Sequence, residues 1–585
     1  MASRIRSVRP VALALLFAAC RQVPAPVAVA CASEPHAVFS APPRIATRLS
    51  YDPAAAPPAW RVEIEASGLQ GAQGLLLELS DWGEWLRLDD YYLRALLCDP
   101  PLRRRAARQA FDVLPPDDWD GTLRARYELP VVALESRARE SFGLLPWRTA
   151  SYSSGFADNT LASLQWEDMP AQVERRLEIV VPDDWTIASG YAAPVRGRLR
   201  VDVPPGFGNT AMAFGVPVAQ AEAQAGGVPL HVVQFGGEQP VARPLAEFAG
   251  RYLEDCTRSL GVPPSRPLTL IVGEPGQGGT RTDGAIAVGC PASLDGEADP
   301  YTLHFLAHEL FHDWLGGQLQ STEGERLAWF WEGFTEYLSL WHLTQQGAVS
   351  RAWFAQRVLD WDRNLAGHPS WGALAFADPG VDWRDGAIEP LAYKGSALLA
   401  FDLDVALRQA GRPGLVELLR ALLAQDGGRY GLESIRGWLV AQGLEAYWQD
   451  GFAAPRRIDP RPALRAVGFE EVARPQPLAY VGVRLDQAGP FGSVVAVDPQ
   501  GPASGIVLVG DRVSGLTPTR EPIDGAQDAV PEYPFGLAYY DPASEVRIDV
   551  ERGERHLQLW VRPTIVEGPP MPAFEPGPGL DDFFR

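Results

Sequence analysis

The feature that most constrains this chain is a change in the period of its apolar residues, from two to helical spacing and back to two. Up to Gly226 the apolar segments are short and alternate with charge. Arg61-Val62-Glu63-Ile64-Glu65 and Arg198-Leu199-Arg200-Val201-Asp202-Val203 each bury one face of a strand. From Tyr301 to about Leu464 the spacing is helical, in segments such as LHFLAHELFHDWL, EGFTEYLSLWHLTQQ and SALLAFDLDVALRQAG. Between these regions LHVVQF and PLTLIVG read as strands around a helix ending at Gly261, and strand-like segments return in YVGVRLDQ, EVRIDVERG and HLQLWVRP.

A chain of 585 residues exceeds what one core organises, so these changes of period mark domains. The expected fold class is multidomain α+β. It comprises an N-terminal β-sandwich-like domain over 44–225, an α/β then α-helical domain over 226–470, and a smaller β domain over 474–566. LRRRAARQAF near 102–111 is expected to be a helix inside the first domain, and the Pro/Gly-rich stretch 567–585 a disordered tail.

Residues 1–20, MASRIRSVRPVALALLFAAC, join a basic start to a short apolar run, the anatomy of a secretory signal. Lipidation at Cys20 and simple cleavage nearby both fit Ala18-Ala19-Cys20, and residues 21–43 read as a tether. The expected location is therefore periplasmic or on the outer membrane, with a lipid on Cys20 as the only membrane contact. Export would permit disulfides among Cys31, Cys98, Cys256 and Cys290, with three connectivities open. A net charge of −21 disfavours nucleic acid as a partner, because phosphate backbones are bound through excess Lys and Arg.

The chemistry concentrates in His308-Glu309-Leu310-Phe311-His312. Histidines four apart on a helix share one face and reach one ion, and the intervening Glu309 can act as the base for an attacking water. Glu332, in WFWEGFTEY, is a carboxylate among aromatic residues, costly to bury without a cation, and so the candidate third ligand. Glu336, one turn on, is a candidate acceptor for the outer N–H of a ligand histidine. His304 reads as a helix-packing residue. The Gly-rich stretch 274–284 lacks the G-K-[ST] ending of a phosphate loop, which argues against nucleotide.

HELFHDWLGGQL followed by WFWEGFTEY resembles the gluzincin peptidases, and within them the glycyl-aminopeptidase-like family. The resemblance implies a thermolysin-like catalytic domain between an N-terminal β domain and a C-terminal PDZ domain. It implies one Zn2+ per chain on His308, His312 and Glu332, peptide or protein substrates, and a catalytic tyrosine at Tyr393 in Leu391-Ala392-Tyr393-Lys394-Gly395. The related substrate-binding strand corresponds to Gly278 and Gly279 through Gly284. It lacks the Glu that holds a substrate's free amine, leaving Asp283 as the substitute acid. Tyr480-Val481-Gly482-Val483 is similar to the PDZ loop that receives a C-terminal peptide. Zinc-dependent peptide hydrolysis of aminopeptidase type is thus the expected activity, with an endopeptidase or a non-catalytic PDZ-bearing scaffold as alternatives.

Overall fold

The computed structural model describes residues 42–584 except 56–57, 79–95, 106–109, 134–146, 168, 171, 204–209, 238, 274–278, 290–299, 366–367, 369, 384, 386–387, 486–491, 519–537, 540–545, 554 and 579. The expected signal over 1–20, Cys20, Cys31, Gly278 and Cys290 lie outside the described residues. No helix among the described residues is long and apolar enough to cross a membrane. Cys98 and Cys256 are free thiols, the latter fully buried.

Among the described residues the N-terminal region is built of β-strands, apart from the short helical turn Ala157–Thr160. One six-stranded sheet runs in the order Arg198–Asp202, Glu174–Val180, Arg44–Tyr51, Ala59–Ser67, Leu123–Pro130, Leu97–Asp99. In Ala59–Ser67 the alternation works as the sequence implies: Val62 and Ile64 point into the core, while Arg61, Glu63 and Glu65 face solvent. The helix expected over 102–111 is not formed. Leu102–Arg104 and Ala110–Val113 are paired strands, with Arg103 opposite Asp112 and Leu102 opposite Val113. Arg103 and Arg105 both bond the Asp112 carboxylate across the ladder. That cross-strand pairing overrides the helix propensity of an Arg- and Ala-rich segment.

A second five-stranded sheet carries the helical domain. Its order is Ala219–Ala225, Val228–Gln234, Leu268–Gly273, Ala285–Gly289, Gly279–Thr282, with Gly279–Thr282 at the edge. Ala219–Ala225 and Val228–Gln234 form a hairpin whose turn residues, Gly226 and Gly227, have φ of 57° and 81°. The boundary expected at 226 therefore falls on the turn of one hairpin, and this sheet starts at Ala219. Helix α1 (Ala242–Leu260) crosses between parallel strands and ends on the left-handed Gly261. The apolar stretches from 301 onward form α2 (Pro300–Phe311), α3 (Ala328–Gln345), α4 (Arg351–Leu365) and α5 (Ser396–Gln409) around one aromatic-rich core.

The C-terminal region has a small core of its own, including Val481, Val483, Val494, Val513 and Val550, under a five-stranded sheet. The tail expected to be disordered is ordered among its described residues. Thr564–Pro576 pairs antiparallel with Phe469–Tyr480 along nearly its whole length. Leu580, Phe583 and Phe584 are then buried in the core of the helical domain. The Trp341 indole N–H donates to the Phe583 carbonyl at 3.3 Å, and the Phe584 ring packs edge-on against Phe354 of α4. The Pro/Gly composition of 567–579 masks a short apolar terminus that finds its partners only in three dimensions.

Candidate metal centre

The motif histidines lie at the end of α2, and the carboxylates come from the first turns of α3 packed against it. His308 Nδ1–H donates to Glu336 Oε2 at 2.9 Å, and His312 Nδ1–H donates to the Leu315 carbonyl at 2.9 Å. With those tautomers both Nε2 lone pairs turn the same way, 3.0 Å apart. Glu332 Oε2 completes the triangle, 3.6 Å from His308 Nε2 and 3.3 Å from His312 Nε2.

Two facing lone pairs and a buried carboxylate repel one another unless a cation lies among them. Four donors around zinc at roughly 2.1 Å stand about 3.4 Å from each other, so the observed edges fit a tetrahedral ion with one position open. Two imidazoles and one carboxylate also suit zinc better than magnesium or calcium, which take oxygen ligands. His308, His312 and Glu332 are thus the residues that would hold a metal.

Electrostatics agree with the geometry. Burial alone would raise the Glu332 carboxyl, yet His308 and His312 outweigh it and hold it well below the ordinary range. Burial would likewise lower His308, but Glu332 and Glu336 prevail and raise it well above the usual imidazole value. The cluster is built to hold positive charge. Glu309 is largely buried, 9% exposed, and among the described residues its carboxylate forms no hydrogen bond or salt bridge. That leaves it available as a base.

Local packing explains the residues around these ligands. A Cβ on Gly333 would come within 1.9 Å of Ser396 Oγ and 2.6 Å of Ser396 Cβ, so glycine after Glu332 lets α3 close on α5. The Trp331 indole donates to Glu332 Oε1 at 3.2 Å. Tyr393 lies in a π-helical turn, Leu391–Gly395, with its ring stacked near that of His308 at a centroid distance of 6.1 Å. Such turns recur at functional sites because the extra residue re-aims a side chain. His304 packs as expected, with Nε2–H donating to the Glu336 backbone carbonyl at 2.9 Å.

Two of the residues expected on a substrate strand, Gly279 and Asp283, are among the described ones. Gly279 lies on the edge strand so close to α2 that a Cβ there would meet Phe305 Cζ at 2.5 Å. Asp283 sits in the turn after that strand, its carboxylate 3.6 Å from the Arg266 guanidinium. In the C-terminal region Tyr480 donates its hydroxyl to Asp498 Oδ2 at 2.7 Å, and Val481 and Val483 are buried. Gly482 has φ of 82°, and Val483–Leu485 is an edge strand of its sheet.

Sequence reasoning missed Arg357 and Trp361 on α4. Arg357 donates to Glu336 Oε1 at 2.9 Å and the Trp361 indole to the same oxygen at 3.1 Å. The signal was present: Arg357 is the one charge among Phe354, Val358 and Trp361, which share a helical face.

No protein-family model and no curated protein matches the chain. Among solved structures it is similar to an aminopeptidase N family protein from Idiomarina loihiensis, with a TM-score of 0.67 and 14% identity over 92% of this chain and 100% of that one. An M1 zinc metallopeptidase from Deinococcus radiodurans aligns with a TM-score of 0.45 and 15% identity, over 72% of this chain and 94% of that one. The first likeness is one of fold along almost the full length.

Proposed function

We propose that this protein is a zinc-dependent peptidase of the gluzincin type. The observation that carries the reading is the convergence of His308 Nε2, His312 Nε2 and Glu332 Oε2 at tetrahedral spacing, with Glu309 buried on the same helix. Zinc, when bound there, supplies the Lewis acidity that activates water and polarises a carbonyl. Glu309 takes the proton of the attacking water and passes it to the leaving amine. Tyr393, on the His308 side, donates its hydroxyl to the developing oxyanion.

One specific observation favours an endopeptidase over a strict aminopeptidase. Asp283, the only substitute for the amine-binding Glu within 278–284, faces Arg266, and a carboxylate beside a guanidinium is a poor receptor for a substrate ammonium. The C-terminal β region is read as a PDZ-like dock, its edge strand Val483–Leu485 extended by an incoming peptide. The N-terminal signal supports an exported protein, with Cys20 as a lipid anchor.

The test is zinc stoichiometry together with hydrolysis of free and N-terminally blocked peptides, for the full chain and for Glu309→Gln. Both proteins should bind one zinc, and the variant should lose activity by about 10²–10⁴-fold. Blocked peptides should be cleaved as well as free ones. Zinc bound without Glu309-dependent turnover in a broad peptide library would replace this reading with a non-catalytic scaffold. A strict need for a free amine would restore the aminopeptidase. Tyr393→Phe should reduce kcat by about 10²–10³-fold and leave zinc affinity unchanged.

A further inference from the structure

The Glu336 carboxylate accepts hydrogen bonds on both of its oxygens. Oε2 accepts from His308 Nδ1 at 2.9 Å, while Oε1 accepts from Arg357 Nη2 at 2.9 Å and from Trp361 Nε1 at 3.1 Å. Its backbone carbonyl accepts from His304 Nε2 at 2.9 Å. Arg357, Glu336, His308 and Trp361 are all at most 6% exposed. The two oxygens therefore do different work. One fixes the ring plane and tautomer of His308, and the other is held from a separate helix.

A buried carboxylate with one strong partner can swing about its terminal torsion, which for Glu is broad and roughly two-fold. A guanidinium and an indole N–H converging on the second oxygen remove that freedom. α4 supplies no candidate zinc ligand and lies outside the H-E-x-x-H motif, so its contribution is mechanical and electrostatic. We infer that Arg357, assisted by Trp361, is a positioning residue for the metal centre. It locks Glu336 in the orientation that presents His308 Nε2 to zinc, so that the site rests on three helices, α2, α3 and α4. The inference rests on the proposed zinc site.

The experiment is zinc affinity of the full chain by competition with a calibrated chelator, with the melting of the metal-free protein measured alongside. Arg357→Met should weaken zinc about 10- to 100-fold, the range typical of partners that orient a ligand. Arg357→Lys, which keeps the charge, should recover most of that loss. Trp361→Phe, which removes one donor and keeps the ring, should cost several-fold. In a Glu336→Gln background Arg357→Met should add less than threefold, because the anion it serves is gone. Arg408→Met, which breaks a pair with Asp404 on α5, should lower the melting temperature without weakening zinc.

Zinc affinity within threefold of the wild type in Arg357→Met, or an equal loss in the Glu336→Gln background, overturns the inference. If Arg357→Met fails to fold, Trp361→Phe carries the test, and unchanged affinity there overturns it. A wild-type chain that binds no zinc would instead refute the proposed function, and the two failures are thereby distinguished.

Discussion

His342 makes the acid stability of the helical domain predictable. It lies on α3 with its side chain fully buried and its ring against those of Phe311 and Trp341, and neither ring nitrogen has a hydrogen-bond partner among the described residues. Burial pushes its pKa down to about 3. The unfolded chain holds the same imidazole near the ordinary value of about 6.5. A histidine whose folded pKa is depressed costs nothing above the unfolded value. As pH falls below about 6.5 the unfolded state takes up a proton that the native state refuses, and stability is lost progressively down to about pH 3. Each pH unit inside that window is worth about 1.4 kcal/mol, so the loss from pH 7 to pH 5 is about 2 kcal/mol from this residue alone.

His342→Leu removes the titration and the two unpartnered nitrogens while keeping the volume roughly apolar. At pH 7 the variant should be as stable as the parent or more so, since a buried polar group without a partner costs about 1–3 kcal/mol. Its advantage should grow by about 2 kcal/mol at pH 5. Urea denaturation followed by tryptophan fluorescence reports on this domain, because Trp314, Trp329, Trp341, Trp361 and Trp383 all lie in its core. Every other titrating group is common to both proteins, so only the difference between the two curves is assigned to His342. Parallel stability profiles from pH 7 to pH 5 would refute the reasoning, and with it the claim that this imidazole is buried uncharged.

Two further outcomes follow from packing. Gly333→Ala should separate α3 from α5, with a cost of about 1–3 kcal/mol or more from overpacking and a displaced Glu332. Thermal unfolding and zinc binding should both decline, and an alanine variant of wild-type stability and affinity would contradict the close approach to Ser396. Phe584→Ala should destabilise the helical domain by about 3–5 kcal/mol, the usual cost of truncating a buried phenylalanine. A loss under 1 kcal/mol in denaturant titration would mean the C-terminus is not part of that core.

The sequence by itself determined the parts of this protein that depend on short-range spacing. His308 and His312 share a helical face because four residues make about one turn, and Glu309 must then sit beside them. The alternation around Val62 and Ile64 places one face of a strand in a core whatever its neighbours are. Gly261 ends α1 because it tolerates a left-handed backbone. Glu332 stood out because a carboxylate among tryptophans needs a cation.

Only the tertiary structure decided what depends on residues distant in the chain. Leu102–Arg104 and Ala110–Val113 pair as strands, with Asp112 bonded by Arg103 and Arg105, which no helical periodicity foretells. Phe583 and Phe584 looked like the end of a Pro/Gly-rich, disordered tail until the ladder from Thr564 to Pro576 carried them to Phe354 and Trp341. Asp283 had the right charge for a substrate amine and the wrong neighbour in Arg266. Arg357 was visible as an odd charge on an apolar stripe, but its partner Glu336 lies on another helix. The motif names the ligands, because ligand spacing is local. The rigidity of His308 is a property of how three helices pack, because the hydrogen bonds from His308, Arg357 and Trp361 to Glu336 each cross from one helix to another.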